Sequence, residues 1–403
     1  MNNIFSHLLT NPKTDLQRQA QESFKNLTLP TTRQEHWKYT RLGRLQHLTF
    51  VKNHQIDLKE LEKITWFSDY HLLFINGKLQ EQYTVLPKNC HLERNTTEAF
   101  DLNLGLFNNL NTFFNTANTA FTDDALILKV ADHQIIDQAI HILYLQQGNL
   151  EIIQPKLSIL LGKNSELTCI QEFKSDQAQE CLTNIQVQIE LQEDAKMQNI
   201  LIQHEDLSAF HIQDLRVKQE KNSFFKQHHF LMGGALVRNN IHILCANTHT
   251  ETELNGIFVG KNEQVLDNHL FLEHAKEQQN SYQLYKGVLT DKARGVFNGK
   301  IKIYPNAQKI NGFQSNKNIL LSENAIIDTK PELEIEADDV KCSHGTTTGQ
   351  IDKNALFYLQ ARGLDRKTAY QLLLEAFFNE CLNKLNQENV KNYLSQAIQH
   401  HLD

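Results

Sequence analysis

The stretch Asn184-Ile-Gln-Val-Gln-Ile-Glu-Leu191 sets Ile185, Val187, Ile189 and Leu191 on every second position, with Gln or Glu between them. Alternation over four to eight residues is the mark of a β-strand with one apolar face. The same period returns at Ile301 and Ile303, and again at Leu333 and Ile335 among Glu332, Glu334 and Glu336. It dominates the chain from about residue 70 to residue 345. No helical run of useful length interrupts it, which disfavours a sheet built from strand–helix–strand crossovers. Two architectures remain, a large sandwich and a stacked solenoid. A parallel β-helix accommodates so long a stretch by adding rungs about 4.8 Å apart, each pairing with the next. The sequence shows no strict repeat that would decide between them. Asn76-Gly77, Asn255-Gly256, Asn298-Gly299 and Asn311-Gly312 read as hairpin turns or tight corners, because both residue types tolerate positive φ.

The two ends change period. Ile4, Phe5, Leu8 and Leu9, then Leu16, Ala20 and Phe24, recur at helical spacing, so residues 1 to about 45 are expected to be helical until Pro30 breaks the run. The segment from Arg33 through Trp37 and Tyr39 to Thr40 reads as a docking strip that packs its rings on the next domain. Near the other end, Asn354 to Arg362 forms a short helix that Gly363 can terminate. Asp365 can cap a second helix, with Ala369, Leu372, Leu373, Ala376 and Phe377 as its apolar face. Val390, Leu394 and Ile398 mark a third. A solenoid exposes its last rungs, and these helices are candidates to cover them.

The chain has 403 residues, enough for two or three domains with a substantial core. Lys and Arg total 40 against 47 Asp and Glu, a formal net charge of −7, and no local basic run offsets it. That balance speaks against a nucleic-acid partner. No apolar run approaches the ~18 residues of a membrane span, and the first residues lack a basic-then-apolar secretory pattern. A cytoplasmic location is the expectation. None of the six cysteines forms a C-x-x-C pair, so free thiols are expected.

The segment richest in chemistry is Glu334-Ile-Glu-Ala-Asp-Asp-Val-Lys-Cys-Ser-His-Gly345. Its apolar phase shifts from odd to even positions at Asp338-Asp339, which predicts a turn there. If residues 340–344 are extended, Cys342 and His344 project to one side. Thiolate and imidazole together suit iron, zinc or copper, but two ligands do not close a site. A buried cysteine beside a capping histidine is the structural alternative. Asp338 and Asp339 would face opposite sides of a strand and cannot converge on one bond. His228-His229 reads as one inward and one solvent-facing residue. Ser343 lacks a positioned acid and a nucleophile elbow, and Gly233-Gly234 lacks a phosphate-loop ending. No catalytic residue is assigned.

Tyr285-Lys-Gly-Val-Leu-Thr-Asp291 followed by Gly295-Val-Phe-Asn-Gly-Lys-Ile301 resembles the SufD family of iron–sulfur cluster assembly proteins. The likeness continues through Lys330-Pro-Glu-Leu-Glu-Ile335, Ala337-Asp-Asp-Val-Lys-Cys-Ser-His-Gly345, Gly349-Gln-Ile-Asp352 and Leu356-Phe-Tyr-Leu359. At the start, Pro30, Arg33, Glu35, Trp37, Tyr39 and Thr40 resemble the family too. Thr346-Thr347-Thr348 departs from the Ala-Thr pair common there. The resemblance implies a right-handed parallel β-helix core (71–348) between N-terminal (1–70) and C-terminal (349–403) helical domains. It implies a non-enzymatic scaffold that pairs with a SufB-like paralogue and holds a SufC-like ATPase on its C-terminal helices. It further implies that His344, and with it Cys342, contributes ligands to a transient iron–sulfur cluster at the shared interface. No tightly bound cofactor is expected in the chain alone, which could instead pair with itself. The rivals are a β-helix enzyme acting on carbohydrate, of the secreted type, and a structural partner that contributes no ligands.

Overall fold

A computed structural model describes Phe5, Leu8 and residues 12–52, 64–94 and 112–402. Its core is two long sheets of parallel strands, between which the chain passes alternately from residue 156 onward. The first sheet runs from Tyr70–Ile75 through Ile140–Asn149, Glu166–Gln179, Lys196–His204, Phe224–Leu231, Glu251–Gly260, Asn280–Leu289 and Ile310–Leu320 to Val340–Gly349. The second runs from Ala125–Val130 through Lys156–Leu161, Leu182–Leu191, Phe210–Gln219, Leu236–Cys245, Val265–His274 and Arg294–Ile303 to Ile326–Ile335. This is a parallel β-solenoid, not a sandwich. The reason no repeat shows in the sequence lies in the register. Lys196 pairs with Phe224, 28 residues on, Phe224 with Glu251 after 27, Glu251 with Asn280 after 29, and Asn280 with Asn311 after 31. Each rung keeps its strand pairing while its turns change length.

Successive turns into the first sheet place Asn164, Asp194, Asn222 and His249 at φ of 53°, 60°, 56° and 60°. Asn and Asp enter the left-handed region more readily than most residues, so they mark three of these four corners. Asn76-Gly77 is a hairpin turn, as expected (φ 46° and 79°). The other three Asn-Gly pairs are not turns. They lie inside the strands Glu251–Gly260, Arg294–Ile303 and Ile310–Leu320, where glycine makes room in the solenoid interior. A Cβ on Gly256 would stand 2.2 Å from Tyr285 Cε1.

Inside the solenoid the alternating apolar residues, Ile185, Val187, Ile189 and Leu191 among them, form one continuous core. Helices cover the outer faces. Helix α1 (Asp15–Phe24) is capped by Thr14, whose side chain accepts from the Gln17 amide, and packs on α2 (Thr112–Phe121). Helix α2 departs from the expectation of a helix-free stretch. Phe5, Phe24, Trp37, Phe113, Phe114 and Phe121 cluster against Leu182, Phe210, Ile212 and Leu236 of the second sheet. Beyond α1, the described part of residues 1–45 has only short 3-10 turns at Glu35–Trp37 and Leu45–His47, so the expected helical run is mostly irregular. Pro30 and Gly43 lie in this stretch. Ile4 and Leu9 lie outside the described residues.

Helices α3 (Lys353–Gln360), α4 (Arg366–Leu382) and α5 (Glu388–Leu402) follow the last strand. Gly363 has φ 94°, and Asp365 accepts from the Thr368 amide at 3.1 Å, as the sequence predicts. Val390, Leu394 and Ile398 are buried. The face of α4 differs: Ala369, Leu374, Phe378, Cys381 and Leu382 are buried, while Leu372 and Ala376 are exposed. Leu374, Phe378, Cys381 and Leu382 pack with α5 on Ile200, Ile202, Phe230, Ile257 and Val288 of the first sheet. The helices therefore blanket the sides of the solenoid, not its last rung. Among the described residues, Val340–Gly349 pairs only with Ile310–Leu320, and Ile326–Ile335 only with Arg294–Ile303. No helix of the described residues is long and apolar enough to cross a membrane.

Candidate functional site

The uncovered rung carries Cys342 and His344. The chain bends at Asp338-Asp339, as the change of apolar phase predicts, and enters Val340–Gly349 along one edge of the first sheet. The bend is held through the backbone of Asp339, whose amide donates to the side-chain Oε1 of Gln308 at 2.8 Å and whose carbonyl accepts from the Lys309 amide at 2.6 Å. Register pairs Gly312 with Cys342 and Gln314 with His344. Gly312 and Gln314 are in the inward phase: a Cβ on Gly299 of the opposite sheet would touch Gln314 Nε2, and Gln314 donates to Gln283 at 2.8 Å. Side chains alternate along a strand, so Cys342 and His344 share that phase. His344 is nonetheless exposed, because among the described residues no further rung lies above it.

Cys342 is half-buried against the core, and the other five cysteines are buried free thiols. Gly312 leaves the space it needs, since a Cβ there would be 3.2 Å from Cys342 Sγ. Burial raises the thiol pKa, and a backbone hydrogen bond with Gly312 opposes this only in part. The neighbouring Lys341 lies in the opposite phase and takes no part in the shift. Among the described residues no group of three or more His, Cys, Asp and Glu could hold a metal ion. Cys342 and His344 are at most part of a coordination sphere.

The two edges of this rung differ. Ile326–Ile335 carries Asp328, Lys330, Glu332 and Glu334. Glu334 bonds Lys300 and Lys302, which hold its carboxyl at about 2. Charges of this kind discourage further strand pairing. Val340–Gly349 ends in Gly345-Thr346-Thr347-Thr348-Gly349, exposed, uncharged and rich in β-branched residues. Its outer row of backbone donors and acceptors is suited to accept another strand. The threonine run that departs from the SufD pattern therefore forms the unguarded edge, a feature that local spacing did not reveal.

The remaining sequence candidates are structural. His228 and His229 are both buried, so the expected solvent-facing member is absent. His229 shares a hydrogen bond with Tyr285 at 3.1 Å inside the solenoid, and His228 lies under the C-terminal helices. Gly233 and Gly234 offer their carbonyls to Gln264 Nε2 at 3.1 and 2.7 Å. Trp37 is a packing element, as its sequence suggests, with the Arg238 guanidinium 3.9 Å from its ring.

The chain is thus a two-sheet parallel solenoid with helices along its sides, its last described rung carrying a thiol and an imidazole. Residues 144–377 match the family described as "SUF system FeS cluster assembly, SufBD core domain". The chain is similar to an iron–sulfur cluster assembly SufBD family protein of Synechocystis, at 30% identity over 94% of this chain and 89% of the relative. It is also similar to the iron–sulfur cluster assembly protein SufD of Escherichia coli, at 29% over 97% and 94%. A third relative, the chloroplastic protein ABCI7 of Arabidopsis thaliana, is 30% identical over 67% of this chain and 58% of its own length. The chain belongs to the SufBD family and is a SufD-type iron–sulfur cluster assembly protein.

Proposed function

We propose that this chain is a non-enzymatic scaffold subunit that shares its terminal rung with a SufB-like paralogue in the cytoplasm. Its domains would be 1–70, 71–348 and 349–403. The observation that carries the reading is the unpaired edge of Val340–Gly349, uncharged from Gly345 onward, with Cys342 and His344 in its inward phase. A second solenoid adding its own end strand there would bring further ligands to the same side. His344 would bind iron through a neutral imidazole nitrogen, and Cys342 as thiolate, so the nascent cluster is cargo held between two chains. Without that partner, the same edge suits a second copy of this chain.

The C-terminal helices supply the place for a SufC-like ATPase. A cavity of about 890 Å³ lies along α4 and α5, lined by Leu372, Leu374, Phe378, Ile398 and Leu402, and Phe357 and Tyr358 of α3 are exposed nearby in sequence. Glu380 of α4 bridges Lys286 at 2.6 Å and Lys317 at 3.1 Å, on the two strands that precede the terminal one in the first sheet. Motion of α4 would therefore pull directly on those rungs. Co-expression with SufB-like and SufC-like chains tests the reading. Ending the chain at residue 350 should remove the ATPase and keep the paralogue, whereas Thr346→Pro, which deletes an edge donor, should do the reverse. Loss of both partners in both variants, with the solenoid still folded by circular dichroism, would contradict it.

A further inference from the structure

A second polar site lies well away from the terminal rung. A cavity of about 720 Å³ opens where the turns after Glu166–Gln179 and Lys196–His204 meet Lys261 and the last turn of α5. Lys174, His204, Lys261, His400 and His401 line it together. Its carboxylates are already engaged. Glu205 is buried and bonded to Gln146 at 2.7 Å, Thr183 at 2.7 Å and His211 at 2.8 Å. Asp206 Oδ1 accepts from the Ser208 amide at 2.8 Å and hydroxyl at 2.5 Å. Lys174 is neutralised by Glu172 at 3.0 Å. Among the described residues, Lys261, His204 and His400 form no ion pair.

The cationic groups oppose one another. Burial, then Lys261, His204 and His400, hold His401 down at about 4. Burial and Lys174 lower His204, against a smaller opposing pull from Glu172. Lys261, His204 and His400 bring their donors to one concave wall, beside the hydrogen-bonded carboxylates of Glu205 and Asp206, and the volume is that of a small-molecule site.

We propose that this cavity binds a soluble phosphate-bearing small molecule, held by Lys261 Nζ and by N–H donors of His204 and His400. The inference is independent of the scaffold reading. An anion favours the protonated form of His204, which burial and Lys174 otherwise oppose, so binding tightens as pH falls. The charged groups facing His204 are Lys174, Glu172, Lys261 and His400, with Glu205, Asp206 and His401 in the same lining.

Isothermal titration of the full chain with inorganic diphosphate tests it, and sulfate, which does not titrate near neutrality, serves for the pH arm. One saturable site per chain is expected, with sulfate binding at least about threefold tighter at pH 6.5 than at pH 8. Lys261→Ala should weaken diphosphate about tenfold and His400→Gln about threefold, whereas Lys276→Ala, an exposed lysine outside the cavity, should change nothing. His400 is exposed, so its variant carries the test if Lys261→Ala does not fold. The proposal is overturned if the native chain gives no saturable heat, or if Lys276→Ala loses as much as Lys261→Ala.

Discussion

Replacing Asp267 with alanine should loosen the N-terminal segment from the solenoid. Asp267 is fully buried and Arg238 is 1% exposed, and Arg238 Nη1 donates to Asp267 Oδ2 at 2.7 Å. The same carboxylate accepts from the Thr40 hydroxyl, and its other oxygen lies 3.0 Å from His269 Nε2. Burial alone would raise the pKa of Asp267, but His269 and Arg238 together outweigh it and keep the group below its ordinary value. The carboxylate is therefore charged, and it anchors a guanidinium that stacks on Trp37. Removing one member of a buried pair strands the other charge, at a cost of about 3–5 kcal/mol. The lost Thr40 hydrogen bond adds roughly 1 kcal/mol, with overlap between the two. Urea denaturation should register that loss, and protease should cleave residues 31–47 at urea concentrations that leave the native chain intact. The double variant Arg238→Met/Asp267→Leu removes both charges and should recover most of the stability. A loss under about 1 kcal/mol in Asp267→Ala, or a double variant no better than the single, would refute this account of the docking.

Gly256→Ala should destabilise by about 1–3 kcal/mol in the same denaturation assay, because its Cβ meets the buried ring of Tyr285. Acid should weaken the fold from about pH 6.5 downward. Burial lowers His229 to about 3, and His274 and His401 to about 4. The unfolded chain takes up these protons near 6.5 and the folded chain does not, so stability falls with pH until the folded values are reached. Each contributes at most about 1.4 kcal/mol per pH unit, and His229→Gln should flatten the slope of stability against pH. Native alkylation followed by mass spectrometry should label Cys342 alone, slowly and faster at alkaline pH, since it is the one cysteine not fully buried. A SufB-like partner should protect it.

Much of this architecture is written in local patterns. The alternation at Ile185–Leu191 falls within the strand Leu182–Leu191, and the phase change at Asp338-Asp339 is a real bend. Asp365, Gly363 and the Val390, Leu394, Ile398 stripe behave as their chemistry dictates. The rung repeat escaped because the turns vary in length, although the corner motif of Asn or Asp before a small residue (Asn164-Ser165, Asp194-Ala195, Asn222-Ser223) was available as a signal. The face of α4 was ambiguous because Leu372, Leu373, Leu374, Ala376, Phe377 and Phe378 place apolar groups on most of its circumference. Only tertiary packing selects Leu374 and Phe378 and leaves Leu372 outside. Nor could spacing show that the helices lie along the sides of the solenoid, which is what leaves His344 uncovered.

Anaerobic cluster reconstitution on the complex with a SufB-like partner, comparing native chain with His344→Ala, addresses the central assignment most directly. Side-chain truncation at an exposed position should leave the complex intact by size exclusion while iron and sulfide per complex fall severalfold. Undiminished cluster loading in an intact mutant complex would show that the imidazole contributes no ligand.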